Sequence, residues 1–373
     1  MKPLELYIHI PFCIQKCKYC DFISAPSCAK ERYDYVESLC EKIRSYGKFA
    51  KAYRVVSIFV GGGTPSILES SQMEEIFAAV REVFTIEEDA EITIEMNPGT
   101  VTKEKLQAYK SSGVNRLSIG LQSVNNEELK ALGRIHTYEH FLETYQMARE
   151  EGFENINIDL ISAIPHQTVE SWKSTLHTVC KLNPEHISAY SLIIEEGTPF
   201  YERYGEGEHV EELPDEEAER QMYHDTKKIL AEYGYERYEI SNYAKKGYEC
   251  RHNLGYWNRT EYLGIGTAAA SLIDNCRWTC GIENDSFVSG EKEQLTTENQ
   301  MEEFMFLGLR KMKGVSKEEF LKAFGVSLEK VYGIVLGEMC EKELLEDVDG
   351  YVRLTESGID VSNYVMSEFF LLS

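Results

Sequence analysis

The stretch Leu6-Tyr7-Ile8-His9-Ile10-Pro11-Phe12-Cys13-Ile14-Gln15-Lys16-Cys17-Lys18-Tyr19-Cys20-Asp21-Phe22 decides the fold of this chain. Leu6 to Ile10 reads as a strand, and Cys13, Cys17 and Cys20 fall in the loop directly after it. Three thiols therefore project from one tight turn at the end of a strand. Zinc normally takes a fourth protein ligand and paired C-x2-C spacing. C-x3-C-x2-C with no obvious partner favours an iron–sulfur cluster, and three thiolates leave one iron open to an exogenous chelating ligand. Three unrelated buried thiols would have no reason to share this spacing.

Outward from that loop, short apolar runs alternate with amphipathic stretches. Leu6 to Ile10, Val55 to Val60, Glu91 to Met96, Arg116 to Leu121, Asn155 to Ile161 and His186 to Leu192 read as strands. Between them, Glu31 to Tyr46, Ser71 to Val83, Thr102 to Ser112, Tyr138 to Glu151 and Thr168 to Lys181 read as helices, several opening on a Ser or Thr cap. Repeating βα units with right-handed crossovers predict an α/β fold, an open (β/α)6 partial TIM barrel with its functional loops at the carboxyl ends of the strands.

After Leu192 the rhythm breaks. An acidic stretch from Glu206 to Glu219 leads into a helix ending near Tyr233, followed by an aromatic and Gly-rich region, Tyr235 to Ser271. Helices around Glu302 to Lys311, Lys317 to Phe324 and Leu328 to Lys342 precede Leu345 to Leu354, where Asp349-Gly350 can turn a hairpin. The division predicted is a barrel over 1–235, an elaboration over 236–298 and a small winged-helix-like domain over 299–373. Such a domain often reads DNA, but Glu338, Glu341, Glu343, Glu346, Asp347 and Asp349 surround this wing and would repel phosphates.

Composition narrows the class. With 39 Lys and Arg against 63 Asp and Glu, the net charge is -24, and no basic run of five or more occurs. Nucleic acid is not an expected partner. The start, Met1 to Leu6, lacks the apolar core of a secretory leader and carries Glu5. The ten cysteines are thus expected to be reduced in the cytoplasm rather than paired. No window approaches the ~18 apolar residues that span a bilayer.

Tyr7-Ile8-His9-Ile10-Pro11-Phe12-Cys13, continuing through Cys17, Tyr19 and Cys20, resembles the opening of the radical S-adenosylmethionine proteins related to oxygen-independent coproporphyrinogen III oxidase. The resemblance implies a [4Fe-4S] cluster on Cys13, Cys17 and Cys20, with the methionine amino and carboxylate groups of S-adenosylmethionine on the free iron. It also implies cofactor contacts from Tyr7, Tyr19, Gly62, Gly63, Thr64, Glu95, Gln122, Arg134 and Asp159. Gly61-Gly62-Gly63-Thr64-Pro65 follows the second strand, where missing side chains permit close backbone approach to a ligand. A phosphate loop fails as the rival because no Gly-Lys-Ser/Thr follows.

Two departures separate this chain from the oxidase of that family. The oxidase pattern, C-x3-C-x2-C-x-C, has a fourth cysteine where Phe22 stands here, and only twelve residues precede Cys13, where the oxidase has a long segment with substrate contacts. A second motif, Arg251-His252-Asn253-Leu254-Gly255-Tyr256-Trp257, is similar to the H-N-x-x-Y-W signature of the HemW-type haem chaperones. That resemblance implies haem near His252, Tyr256 and Trp257. Imidazole is a common axial ligand and aromatic faces suit a flat macrocycle, so His252 is the tentative iron ligand, oriented by Asn253. Cys250 is an alternative thiolate, and Cys276 with Cys280 would sit one helical turn apart if that stretch is helical.

The function expected is therefore a haem-binding chaperone that passes haem to an acceptor protein and takes its electrons from a separate donor, with cluster and S-adenosylmethionine in the barrel. The alternatives are oxidative decarboxylation of coproporphyrinogen III and a radical enzyme acting on haem itself.

Overall fold

In a computed structural model of the chain, described over residues 1–283 and 286–371, all six expected strands form. They are β1 (Lys2–Ile10), β2 (Tyr53–Gly62), β3 (Ile86–Met96), β4 (Arg116–Gln122), β5 (Ile156–Ser162) and β6 (His186–Ser191), paired in parallel in chain order. The expected helices lie between them to within a turn: α1 (Ala29–Ser45), α2 (Ser70–Val83), α3 (Lys103–Ser111), α4 (Tyr138–Glu150) and α5 (Val169–Lys181). Thr102, Thr137 and Thr168 cap α3, α4 and α5 by accepting from Lys105, His140 and Ser171 amides. Each such cap stabilises a helix start by about 1 kcal/mol.

The strands alternate between two buried faces. Leu4, Leu6, Ile8 and Ile10 of β1, with Ile58, Val60, Ile92, Ile94, Leu117 and Ile119, share one core with the helix residues Val36, Leu39, Ile76, Phe77 and Val80. The other face carries Glu5, His9, Ser57, Glu91, Thr93, Arg116, Ser118, Asn157, His186 and Ser188, all buried. Most buried polar groups are paired. Here Asn157 does much of the pairing, with its amide carbonyl 2.6 Å from His186 Nδ1 and its amide nitrogen 2.8 Å from both Ser118 Oγ and Asp159 Oδ1. A polar interior of this kind suits charged ligands at the open end.

The sheet does not stop at six strands. After α6 (Glu216–Glu232), β7 (Asn242–Ala244) adds to β6 antiparallel. At the other edge β8 (Tyr262–Ile265) pairs with β1 in parallel, and β9 (Ala270–Ile273), β10 (Cys276–Glu283) and β11 (Ser286–Ser289) extend it antiparallel. Residues 236–298 thus lengthen the barrel sheet at both ends. A seventh parallel strand was not expected, because Tyr262-Leu263-Gly264-Ile265 is short and sits in Gly-rich surroundings. Cys276 and Cys280 lie on β10 and not on a helix, which puts them four residue steps, roughly 13 Å, apart.

Between β7 and β8, the short helix α7 (Arg251–Trp257) carries the second motif. Beyond the sheet, α8 (Thr297–Gly308), α9 (Lys317–Phe324), α10 (Leu328–Glu341) and the hairpin β12 (Leu345–Val348) and β13 (Tyr351–Leu354) form the expected three helices and wing. Asp349 and Gly350 turn the hairpin with φ of 53° and 80°, the left-handed pair that a two-residue turn requires. These elements have their own core, including Met305, Phe320, Tyr332, Met339 and Val352, to which Val365 and Phe369 of the final turns contribute. No helix among the described residues is long and apolar enough to cross a membrane.

Candidate functional site

A cavity of about 370 Å³ opens at the carboxyl ends of β2 to β6. Its wall brings together Cys13, Cys17, Cys20, Tyr19, Gly62, Gly63, Thr64, Glu95, Gln122, Arg134 and Asp159, contributed by separate loops and strand ends. Two of the three thiols already have donors aimed at them. Thr64 Oγ1 donates to Cys13 Sγ at 3.4 Å, and Arg134 Nη1 to Cys17 Sγ at 3.6 Å. Asn97 ties the two donors together, giving a hydrogen bond to Thr64 Oγ1 at 2.8 Å and taking one from Arg134 Nη2 at 2.8 Å. Hydrogen bonds to sulfur are what a cluster site supplies to orient its ligands and set its potential. Among the described residues no group of His, Cys, Asp or Glu side chains is drawn tight enough for a single metal ion. All three cysteines line the one cavity, and three thiolates suit a cluster with one iron left for another ligand.

Two buried carboxyls of this cavity are shifted upward. Burial, reinforced by Asp159, pushes the Glu95 carboxyl up to about 8. Burial raises Asp159 as well, opposed by hydrogen bonds from Asn157 and Ser118. A cationic or hydrogen-bond-donating ligand would relieve both. Gln122, with φ of 75°, stands in the left-handed region where β4 shifts register against β5. A non-glycine residue there is strained, and the strain turns its side chain onto the cavity wall.

Gly62 and Gly63 line this cavity, and their missing side chains also serve the chain's own packing: a Cβ on Gly62 would lie 2.5 Å from the His9 ring and one on Gly63 2.6 Å from the Phe12 carbonyl. Tyr7 does not line this cavity. Its hydroxyl meets His9 Nδ1 at 3.1 Å, His9 donates from Nε2 to the Ile23 carbonyl at 3.0 Å, and the Tyr7 ring faces a second cavity.

That second cavity, about 630 Å³, lies where the sheet runs past β1. Tyr7, Tyr256, Trp257, Tyr262, Phe306 and Leu307 give it a largely aromatic wall, with Arg259, Arg277 and Glu303 at one side. Asp21 and Phe22 border both cavities, and Phe22 is 61% exposed. The residue standing in place of a fourth cysteine is therefore the partition between the two.

His252 is not presented to this space as an iron ligand. It is 1% exposed, stacks on Phe59, and has both ring nitrogens engaged, Nδ1 with Ser57 Oγ at 2.8 Å and Nε2 with Tyr256 Oη at 2.9 Å. Burial, with Arg116 nearby, lowers its pKa to about 3, so it is a neutral interior histidine. Ser57 and Tyr256 orient it, in place of the expected Asn253. Cys250 is buried with its thiol toward Glu91 Oε1 at 3.4 Å, and the same carboxylate receives the Arg251 and His252 amides at the start of α7. Tyr256 and Trp257 do reach the cavity, and the Arg310 guanidinium covers the Trp257 ring at 4.4 Å.

Sequence reasoning missed Asn97, Arg259, Arg277 and Glu303. Asn97 directly follows β3 at the same level as Glu95, a positional signal that was readable. Arg277 and Glu303 come from a strand and a helix with no motif to mark them.

Residues 7–179 match the Radical SAM superfamily and residues 295–361 the HemN C-terminal domain. The chain is 37% identical to the "Heme chaperone HemW" of Lactococcus lactis over 99% of its own length and 98% of that protein. It is 37% identical to the Bacillus subtilis protein of the same name, with 97% and 98% covered, and 35% identical to that of Escherichia coli, with 96% of each covered. Its fold is similar to the solved coproporphyrinogen III oxidase HemN of Escherichia coli, a radical SAM enzyme, with a TM-score of 0.86 at 23% identity, covering 99% of this chain and 90% of that one.

Proposed function

The chain belongs to the HemW family of haem chaperones within the radical SAM superfamily, and from that membership we propose that it binds haem and transfers it to an acceptor protein. Cys13, Cys17 and Cys20 would hold a [4Fe-4S] cluster with one iron site open, and Tyr19, Thr64, Glu95, Gln122, Arg134 and Asp159 would contact S-adenosylmethionine in the same cavity. When bound, the cluster supplies that iron site and an electron drawn from a separate donor. The chain's own residues do the rest: Thr64 and Arg134 hydrogen-bond the sulfurs, Asn97 fixes both donors, and the buried Glu95 offers a carboxyl to a cationic or hydrogen-bond-donating part of the ligand.

The observation that carries the haem reading is the aromatic cavity beside Tyr256 and Trp257, separate from the thiols and large enough for a flat apolar macrocycle. Phe22 supports a carrier over an oxidase, since it puts an apolar partition where that enzyme's pattern has a cysteine. We place the protein in the cytoplasm, where thiols outside the cluster stay reduced.

Anaerobic titration of haem into the reconstituted chain tests this reading. A saturable Soret shift at one haem per chain is expected, with the cluster spectrum retained. Conversion of coproporphyrinogen III to protoporphyrinogen IX under reductant and S-adenosylmethionine would instead make decarboxylation the principal function.

A further inference from the structure

Two arginines in a chain of net charge -24 share one wall of the aromatic cavity. Arg259 Nε donates to Glu303 Oε2 at 3.0 Å and Arg277 Nη2 to Glu303 Oε1 at 2.7 Å. One carboxylate thus serves two guanidiniums in a place where Arg259 and Glu303 side chains are only 10% and 6% exposed. The surplus positive charge, left partly out of water, favours a second anion. Arg259 Nη1 has no hydrogen-bond partner among the described residues, Arg277 has donors beyond those that meet Glu303 and Tyr262, and a guanidinium offers five donors in a fork that matches a carboxylate.

The backbone also bears a cost to place Arg259. It has φ of 55° and directly follows the last turn of α7, where a helix commonly ends on glycine. A side chain is kept at that strained position, two residues after Trp257, and its Nη2 is steadied by Asn275 Oδ1 at 3.2 Å.

Resting on the haem reading above, we infer that Arg259 and Arg277 form a clamp for the propionate carboxylates of the bound macrocycle, and that Glu303 holds the two guanidiniums apart from other partners until the ligand arrives. The cavity then takes a planar apolar ring against Tyr256 and Trp257 with its carboxylates directed to the arginine side. Glu303 belongs to α8, so the same group links occupancy of the cavity to the seating of the C-terminal helices.

The alternative is an ion triad that only ties α8 to the sheet, and the two predict opposite effects at Glu303. Haem and its dimethyl ester are titrated into the full chain and followed at the Soret band. Wild type is expected to bind the ester about tenfold or more weakly, and the Arg259→Gln/Arg277→Gln variant to bind both forms at the ester's level. Glu303→Gln, which frees both guanidiniums, is expected to bind haem as tightly as wild type or more tightly. Equal affinity of wild type for haem and ester overturns the clamp while leaving the haem reading intact, and so does a Glu303→Gln variant that loses as much affinity as the double arginine variant. Failure of wild type to bind haem at all overturns the haem reading and this inference with it. The ester comparison needs no substitution, so it decides the matter even if the double variant does not fold.

Discussion

His252 Nδ1 lies 2.8 Å from the Ser57 hydroxyl, which in turn donates to Glu5 Oε1 at 3.1 Å. The motif histidine is thereby built into the polar interior of the barrel, and α7 closes that interior beneath the cofactor cavity. Its role is to set the position of Tyr256 and Trp257, which do face the aromatic cavity.

A neutral buried histidine makes acid stability a test of this placement. The folded pKa of His252, about 3, lies below the ordinary 6.5, so between these values the unfolded chain takes up a proton that the folded chain refuses. The stabilisation is complete above about pH 6.5 and falls by at most about 1.4 kcal/mol per pH unit as pH drops toward 3. His252→Asn should show a shallower loss of stability between pH 7 and pH 5 in urea unfolding. It should not be flat, because burial also lowers His136, to about 3, and His186. Haem bound to the same variant should show the wild-type Soret maximum, since both nitrogens of this ring already have partners; a maximum displaced from that of wild type would make His252 the ligand.

Glu5 has the opposite sign. Burial pushes its carboxyl up to about 9, so the folded chain holds a proton that the unfolded chain gives up above about 4.5. Its stabilisation is present below that value and is lost as pH rises through 9. Glu5→Gln keeps an acceptor for Ser57 and removes the titration, so the variant should be more stable than wild type at pH 9, with the difference shrinking toward pH 5. A bulkier test at the facing position is closed off, since a Cβ on Gly255 would lie 1.9 Å from the Glu5 carboxylate.

Most of the barrel was legible because its signal is periodic. Six apolar runs and five capped amphipathic stretches locate β1 to β6 and α1 to α5 to within a few residues, and the thiol spacing locates the cofactor cavity. What stayed hidden depends on pairing between distant segments. Nothing in Tyr262-Leu263-Gly264-Ile265 announces that it pairs with Glu5 to Ile8, yet that pairing creates the second cavity. The surroundings of His252 were hidden for the same reason: a motif shows which residues occur together but not that Ser57, far along the chain, meets a ring nitrogen.

Gly62→Ala probes the post on which the cysteine loop rests. The added Cβ meets the His9 ring at 2.5 Å and the residue must keep φ of 110°, so either His9 or β2 moves. Displacing His9 breaks its hydrogen bond to the Ile23 carbonyl, which fixes the end of that loop. The variant should lose at least about 2 kcal/mol of stability, and reconstitute with less iron and sulfide per chain than wild type under the same anaerobic conditions. Full cluster content would show that the loop does not need His9.

Arg134→Met separates the two cavities. The arginine belongs to the cofactor cavity and not to the aromatic one: it donates to Cys17 Sγ, to Asn97 Oδ1 and, at 2.7 Å, to the Gly120 carbonyl. Methionine keeps much of the packing volume and removes every donor, leaving the Gly120 carbonyl and the Asn97 side chain without this partner. Loss of a hydrogen bond to sulfur should shift the cluster's reduction potential downward, and S-adenosylmethionine should bind about tenfold or more weakly. Haem affinity should stay at the wild-type value, because no atom of Arg134 borders the aromatic cavity. Parallel titrations with the two ligands read this directly. If haem affinity falls with that for S-adenosylmethionine, then Asp21 and Phe22, the shared partition, transmit the state of the cluster to the haem site, and the cavities act as one.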